Sequence, residues 1–167
     1  MVNKLLNARL GTAFTTDPTI SLKNYLYNNW STSTGYAVPD VANVKFDTKF
    51  GSFTGFNLVI IEDMPKTSKG QTLGKGRVRV TETKRIQVWC RGLSGKNNLY
   101  LIEKHIDSLI NANPTGMNTD GIDIIELDDF TAIPMITDDE IFKGKPQSQE
   151  AWRSRATVRL VYDLYQA

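Results

Sequence analysis

Gly70-Gln71-Thr72-Leu73-Gly74-Lys75-Gly76 is the stretch of this chain that comes nearest to a phosphate-binding loop. A P-loop cradles phosphates on backbone N–H groups between two glycines that have four residues between them, and the Ser or Thr after its lysine holds magnesium. Here three residues separate the glycines and Gly76 follows Lys75, so the magnesium ligand is missing. The segment is expected to belong to a flexible basic loop over 65–76 with Lys66, Lys69 and Lys75. As a hairpin tip, such a loop could touch a partner or a phosphate.

Other reactive residues lack the companions that catalysis needs. His105 is the only histidine and sits between Ile102 and Ile106. A catalytic or zinc-bound histidine needs partners that the surrounding residues do not supply, so a surface or boundary position on a helix is expected. Cys90 is the only cysteine. It excludes a disulfide within the chain and a Cys-rich zinc site, and it suits a protein made in a reducing cytoplasm. It also continues an apolar strand face, which predicts a buried, inert thiol.

Carboxylates gather at Asp123, Glu126, Asp128 and Asp129, and again at Asp138, Asp139 and Glu140. A nuclease of the restriction-enzyme type needs Glu-x-Lys on a strand, but Leu127 and Asp128 follow Glu126. A calcium loop needs regular oxygen ligands around a turn glycine, which Asp138-Asp139-Glu140-Ile141 lacks. Solvated acidic loops account for both clusters, with interface salt bridges as the next explanation. No nucleophile, base and orienter can be assembled. The chain is therefore expected not to be an enzyme, with no catalytic residue, metal site or cofactor.

Two alternating segments carry the remaining chemistry. From Arg77 to Cys90, Val78, Val80, Ile86, Val88 and Cys90 fall on one side, and Arg77, Arg79, Thr81, Thr83, Arg85, Gln87 and Trp89 on the other. From Trp152 to Tyr165, Trp152, Ala156, Val158, Leu160, Tyr162 and Leu164 oppose Arg153, Arg155, Thr157, Arg159, Val161, Asp163 and Tyr165. A period of two means strands with one face on the core. The other face carries Arg77, Arg79, Arg85, Arg153, Arg155 and Arg159 beside Trp89, Val161 and Tyr165. It is either an ordinary wet face paired with neighbouring acids, a subunit interface anchored by Arg and Trp, or a surface for DNA phosphates.

The elements that position these rows follow from local signals. Asp17-Pro18 is an N-cap and first-turn pair, and Leu22, Tyr25, Leu26 and Trp30 follow at helical spacing, so a helix is predicted over 18–30. The apolar, β-branched run 56–61 predicts a strand buried on both faces. Leu99, Ile102, Ile106, Leu109 and Ile110 predict the strongest helix, over 97–112, ending at Asn113-Pro114. A short strand is predicted over 122–127, and the chain ends in a long one. The order helix, strand, strand, helix, strand, strand predicts an α+β fold, a mainly antiparallel sheet covered on one face by two helices.

Bulk properties agree. With 167 residues, 40% hydrophobic and 23% charged, the chain can build one core. One domain over 1–167 with a short N-terminal arm, 1–16, is expected. The net charge of +2 does not by itself imply nucleic acid. Neither a secretory signal nor an apolar run near ~20 residues is recognisable, so no membrane association is expected.

Arg-Ile-Gln-Val-Trp-Cys-Arg-Gly (85–92), the helix over 97–112, Gly-Ile-Asp-Ile-Ile-Glu-Leu-Asp-Asp (121–129), a polar loop and Ala-Trp-Arg-Ser-Arg-Ala-Thr-Val-Arg-Leu-Val-Tyr-Asp (151–163) follow one another. With the helix at 18–30, this arrangement resembles the tail-terminator and tail-completion (head-tail joining) proteins of long-tailed phages and related archaeal viruses. The departures are the long 46–56 region and the loop 137–150. The resemblance implies a non-enzymatic virion protein of the tail or neck, assembled in the host cytoplasm as a homo-hexameric ring. Its partners would be the tail tube protein and the head-tail connector or neck proteins, with sequence-independent contact to DNA passing through the channel. The arginines and Trp89 would then lie at an interface or in the lumen. The alternative is a sheet-based nucleic-acid-binding protein without catalytic activity that uses the same arginines.

Overall fold

Local chemistry starts the first helix. The Asp17 carboxylate accepts a hydrogen bond from the Thr19 N–H at 2.8 Å. Pro18 takes the first helical position, where a missing N–H costs nothing. Helix α1 (Pro18–Asn29) then runs with Leu22, Tyr25 and Leu26 buried. The computed structural model describes residues 3–5, 17–49, 55–64, 69–74, 77–112, 117, 121–136 and 151–166. Its strands are β1 (Asn3–Leu5), β2 (Val44–Asp47), β3 (Asn57–Asp63), β4 (Lys69–Gly74), β5 (Arg77–Arg91), β6 (Asp123–Leu127), β7 (Thr131–Ile136) and β8 (Ala151–Gln166). Helix α2 (Gly95–Asn111) lies between β5 and β6.

All eight strands join one sheet, built around the antiparallel pair β5 and β8. On the far side of β5, β3 pairs with residues 84–90 and β4 with residues 77–81. On the far side of β8 come β7, β6 and β1. Among the described residues, only β2 and β3 pair in parallel. The expected α+β class, a mainly antiparallel sheet with two helices on one face, describes the chain. At about 3.3 Å per residue, β5 and β8 each span about 50 Å.

The helices bury one face of this sheet. Ile102, Ile106 and Ile110 of α2, all at most 1% exposed, pack with Leu22 and Leu26 of α1. Opposite them lie Val59 and Ile61 of β3, Ile86, Val88 and Cys90 of β5, and Ala156, Val158 and Leu160 of β8. Fully burying one such side chain contributes about 1.5–3 kcal/mol. The Tyr25 hydroxyl donates to the Leu109 carbonyl at 2.6 Å and ties α1 to α2. Gly92 turns β5 into α2 with φ near +90°, a left-handed conformation that side chains oppose.

Four strands lie where none was expected. The segment 69–74 is not loop: it pairs with β5, so Lys69 opens a strand. Gly74 pairs with Arg77, leaving only Lys75 and Gly76 between the two strands. Backbone hydrogen bonds to one neighbour hold β4, so no apolar alternation marks it. In β7, Pro134 falls within a register shift between Ile133 and Ile136, a place where the ladder loses no donor. Part of the expected N-terminal arm is β1, paired with the end of β8, and β2 (Val44–Asp47) runs into the start of the long 46–56 region.

Candidate functional site

Strict alternation turns the odd-numbered side chains of β5 and β8 to the face opposite the helices. The register sets Thr83 against Arg159, Arg85 against Thr157, Gln87 against Arg155 and Trp89 against Arg153, so the two arginine rows meet on one surface. Flanking strands extend each rung. Strand β3 sets Glu62 beside Arg85, Ile60 beside Gln87 and Leu58 beside Trp89. Strand β6 sets Glu126 beside Arg159, and β7 sets Thr131 beside Arg155.

These neighbours neutralise part of the basic face. Arg85 Nη1 lies 3.3 Å from Glu62 Oε1, and Arg159 pairs with Glu126. Gln87 donates to the same Glu62 oxygen, and its own Oε1 accepts from Trp89 Nε1 at 3.2 Å. The Thr157 hydroxyl donates to Asp128 at 2.5 Å. Exposed pairs of this kind contribute about 0.2–1 kcal/mol each, so they pattern the surface more than they stabilise the fold. Arg79 and Arg155 are exposed. In register, Arg79 faces Asp163, whose side chain is not among those described.

Trp89 is not displayed on this surface. It is 6% exposed and forms a small apolar cluster with Leu58, Ile60 and Ala151. The Arg153 guanidinium lies across it, 4.9 Å from the ring centroid. Arg77 begins β5, but its side chain, like the whole of Lys66 and Lys75 and the loop 137–150, is outside the described residues. Local sequence did not identify Glu62 and Glu126 as partners of Arg85 and Arg159, or Asp128 as the partner of Thr157, because each lies more than 20 positions away in the chain.

His105 is a core residue, which corrects the expected surface or boundary position. It is 1% exposed, because α1 and the turn after it close over that side of α2. Its Nε2 lies 2.7 Å from the Trp30 carbonyl, which can only accept, so Nε2 carries the proton. Nδ1 then accepts from the Thr34 hydroxyl at 2.6 Å. Burial pushes its pKa below the ordinary 6.5, against the opposing pull of the Trp30 carbonyl. The unfolded chain therefore takes up this proton first as pH falls. Stability is fully present above 6.5 and declines as pH drops through that value toward the lower folded one. The urea midpoint is expected to fall more steeply between pH 7.5 and 5.5 in the wild type than in His105→Gln. Equal slopes would remove this role.

Cys90 is buried among the core strands, and burial pushes its thiol up to about 12. It is thus a thiol and not a thiolate at neutral pH. Among the described residues, no group of three His, Cys, Asp or Glu side chains could hold a metal ion. Among them too, no helix is long and apolar enough to cross a membrane. Neither a protein-family model nor a curated protein sequence matches the chain.

Proposed function

We propose that the chain is a structural subunit of a tailed-virus particle, forming a ring that terminates the tail tube or joins it to the head and neck. The observation that carries this reading is the second face of the sheet. Helices α1 and α2 lie on the other face, so among the described residues the polar middle of the β5–β8 ribbon offers a broad surface for neighbours. Arg79 and Arg155 stand exposed on it amid a lattice of arginines and carboxylates. Mixed charge suits a specific protein contact, where each arginine meets a placed acid and wrong registers are penalised. The order of elements from 85 to 163 supports the same reading.

A ring needs interfaces on the order of 1,000 Å² or more per contact. Native mass spectrometry with negative-stain imaging is expected to show closed rings, six copies each, that bind the ends of purified tail tubes. A monodisperse monomer at tens of micromolar that also leaves tail tubes unjoined overturns the proposal.

The nucleic-acid alternative uses the same arginines, but Glu62, Glu126 and Asp128 interleave with them. If three arginines met phosphate, the slope of log affinity against log salt would be about −3. A flat salt response, or no binding to DNA at low salt, removes that alternative and leaves the ring reading intact.

A further inference from the structure

A groove of about 970 Å³ opens at the β2–β3 edge of the sheet, where β5 ends and α2 begins. Arg91, only 3% exposed, is fixed in its wall. Its Nε donates to the Gly55 carbonyl at 2.6 Å, and its guanidinium lies 5.3 Å from the Phe56 centroid. Lys45 adds a second positive charge, with one acid, Asp47, 3.7 Å away. Asn57 and Asn98 line the floor, linked to each other at 3.5 Å. The rim is apolar: Leu93 is fully exposed and Phe56 is 57% exposed. Adjacent exposed large apolar groups beside buried charge are the composition of a contact site rather than of ordinary surface.

The opposite edge of the sheet carries the complementary chemistry. The corner between β6 and β7 presents Asp128 and Asp129, both exposed, next to exposed Glu126. Thr157 holds Asp128 in place, and Asp129, also exposed, follows it before Phe130. Strands β3, β5 and β8 separate the two edges. Lys45 lies four strand spacings, about 19 Å, from the corner, and Arg91, paired with Ala151, lies six residues, about 20 Å, along β8 from Thr157 at the corner, so the groove and the corner are too far apart to meet within one chain.

Resting on the ring reading above, we infer that the Lys45–Arg91 groove of one copy takes the Asp128–Asp129 corner of a second copy. Opposite charges on opposite edges make this contact head-to-tail, the kind of contact that builds a ring when its rotation closes. Acid meets base at the centre, and Leu93 and Phe56 supply the apolar margin that excludes water.

A charge exchange tests it on the full chain, using two exposed positions whose replacement leaves the core intact. Lys45→Glu and Asp129→Lys are each expected to raise the ring's dissociation concentration about tenfold in sedimentation velocity, and Leu93→Asp at least as much. The double variant, Lys45→Glu with Asp129→Lys, is expected to recover assembly to within about threefold of the wild type. Wild-type rings that neither single change weakens, or a double variant that stays dissociated, overturn this contact and leave the ring reading standing. Rings that persist in Lys45→Glu but no longer join tail tubes place another protein in the groove, and also overturn it. A wild-type chain that stays monomeric overturns both.

Discussion

Trp30→Ala is expected to cost about 3–5 kcal/mol of folding stability, the range for emptying a large aromatic site. Trp30 is 2% exposed at the end of α1, where that helix meets α2 and β2. Its ring stands edge-on to His105 at 4.6 Å and to Phe46 at 5.0 Å. Its indole N–H donates to the Pro39 carbonyl at 2.9 Å, and its own carbonyl accepts from His105. Alanine removes the packing and leaves the Pro39 carbonyl without its donor. Trp30→Phe keeps most of the packing and loses only that bond, so about 1–2 kcal/mol is expected. Urea midpoints at pH 7.5 measure both changes. A Trp30→Ala loss no larger than that of Trp30→Phe would contradict the packing role.

The second large effect is expected from a lysine on the helix side of the sheet. Lys84 is 5% exposed, and its ammonium bonds to Asp63 and lies 3.0 Å from Glu82. Thr19, in the first turn of α1, also donates to Asp63, at 2.7 Å. Burial pulls the Lys84 pKa down, but the bonds to Asp63 and Glu82 outweigh it and hold the ammonium above its ordinary 10.5. The bond from Lys84, then that from Thr19, holds Asp63 below 3.8. The two signs are opposite. Stability from Lys84 is present below pH 10.5 and lost as pH rises beyond it, and stability from Asp63 is present above 3.8 and lost as pH falls below it.

The burial is lopsided, which makes the mutational effects unequal. The Lys84 side chain is 7% exposed, whereas Asp63 is 69% exposed. Removing both carboxylates in Asp63→Asn with Glu82→Gln strands a buried cation. That is expected to cost about 3 kcal/mol, the low end for a broken buried pair. Lys84→Met removes the buried charge, leaves Asp63 largely in water and leaves Glu82 with its bond to Tyr162, so a smaller loss of about 1 kcal/mol is expected. Urea denaturation of the two variants decides the matter. Similar losses from both would show that the cation carries no desolvation burden.

Tertiary packing also explains why Lys84, Glu82 and His105 escaped prediction. Lys84 and Glu82 occupy positions of β5 whose parity assigns them to the helix side, yet their chemistry suggests water. They are tolerated there because the start of α1 and the end of β3 bring Asp17, Thr19 and Asp63 to that point, and Tyr162 of β8 is buried beside Glu82. For His105, the polar partners are the carbonyl of Trp30 and the hydroxyl of Thr34, both more than 70 positions away. Nothing near position 105 announces them. Arg91 was missed similarly, since its partner is the Gly55 carbonyl.

The sequence by itself determined the two helices, the Asp17 cap of α1, the buried strand β3 and the two-sidedness of β5 and β8. Each of these is written in spacing: 3.6 residues for α1 and α2, two for the long strands, Asp-Pro at a helix start. Tertiary structure alone decided which strands flank the long pair, and so which acids meet the arginines and which edge bears the groove. Strand pairing runs through backbone hydrogen bonds that every residue except proline can make, so the choice of neighbour leaves little trace in side-chain order.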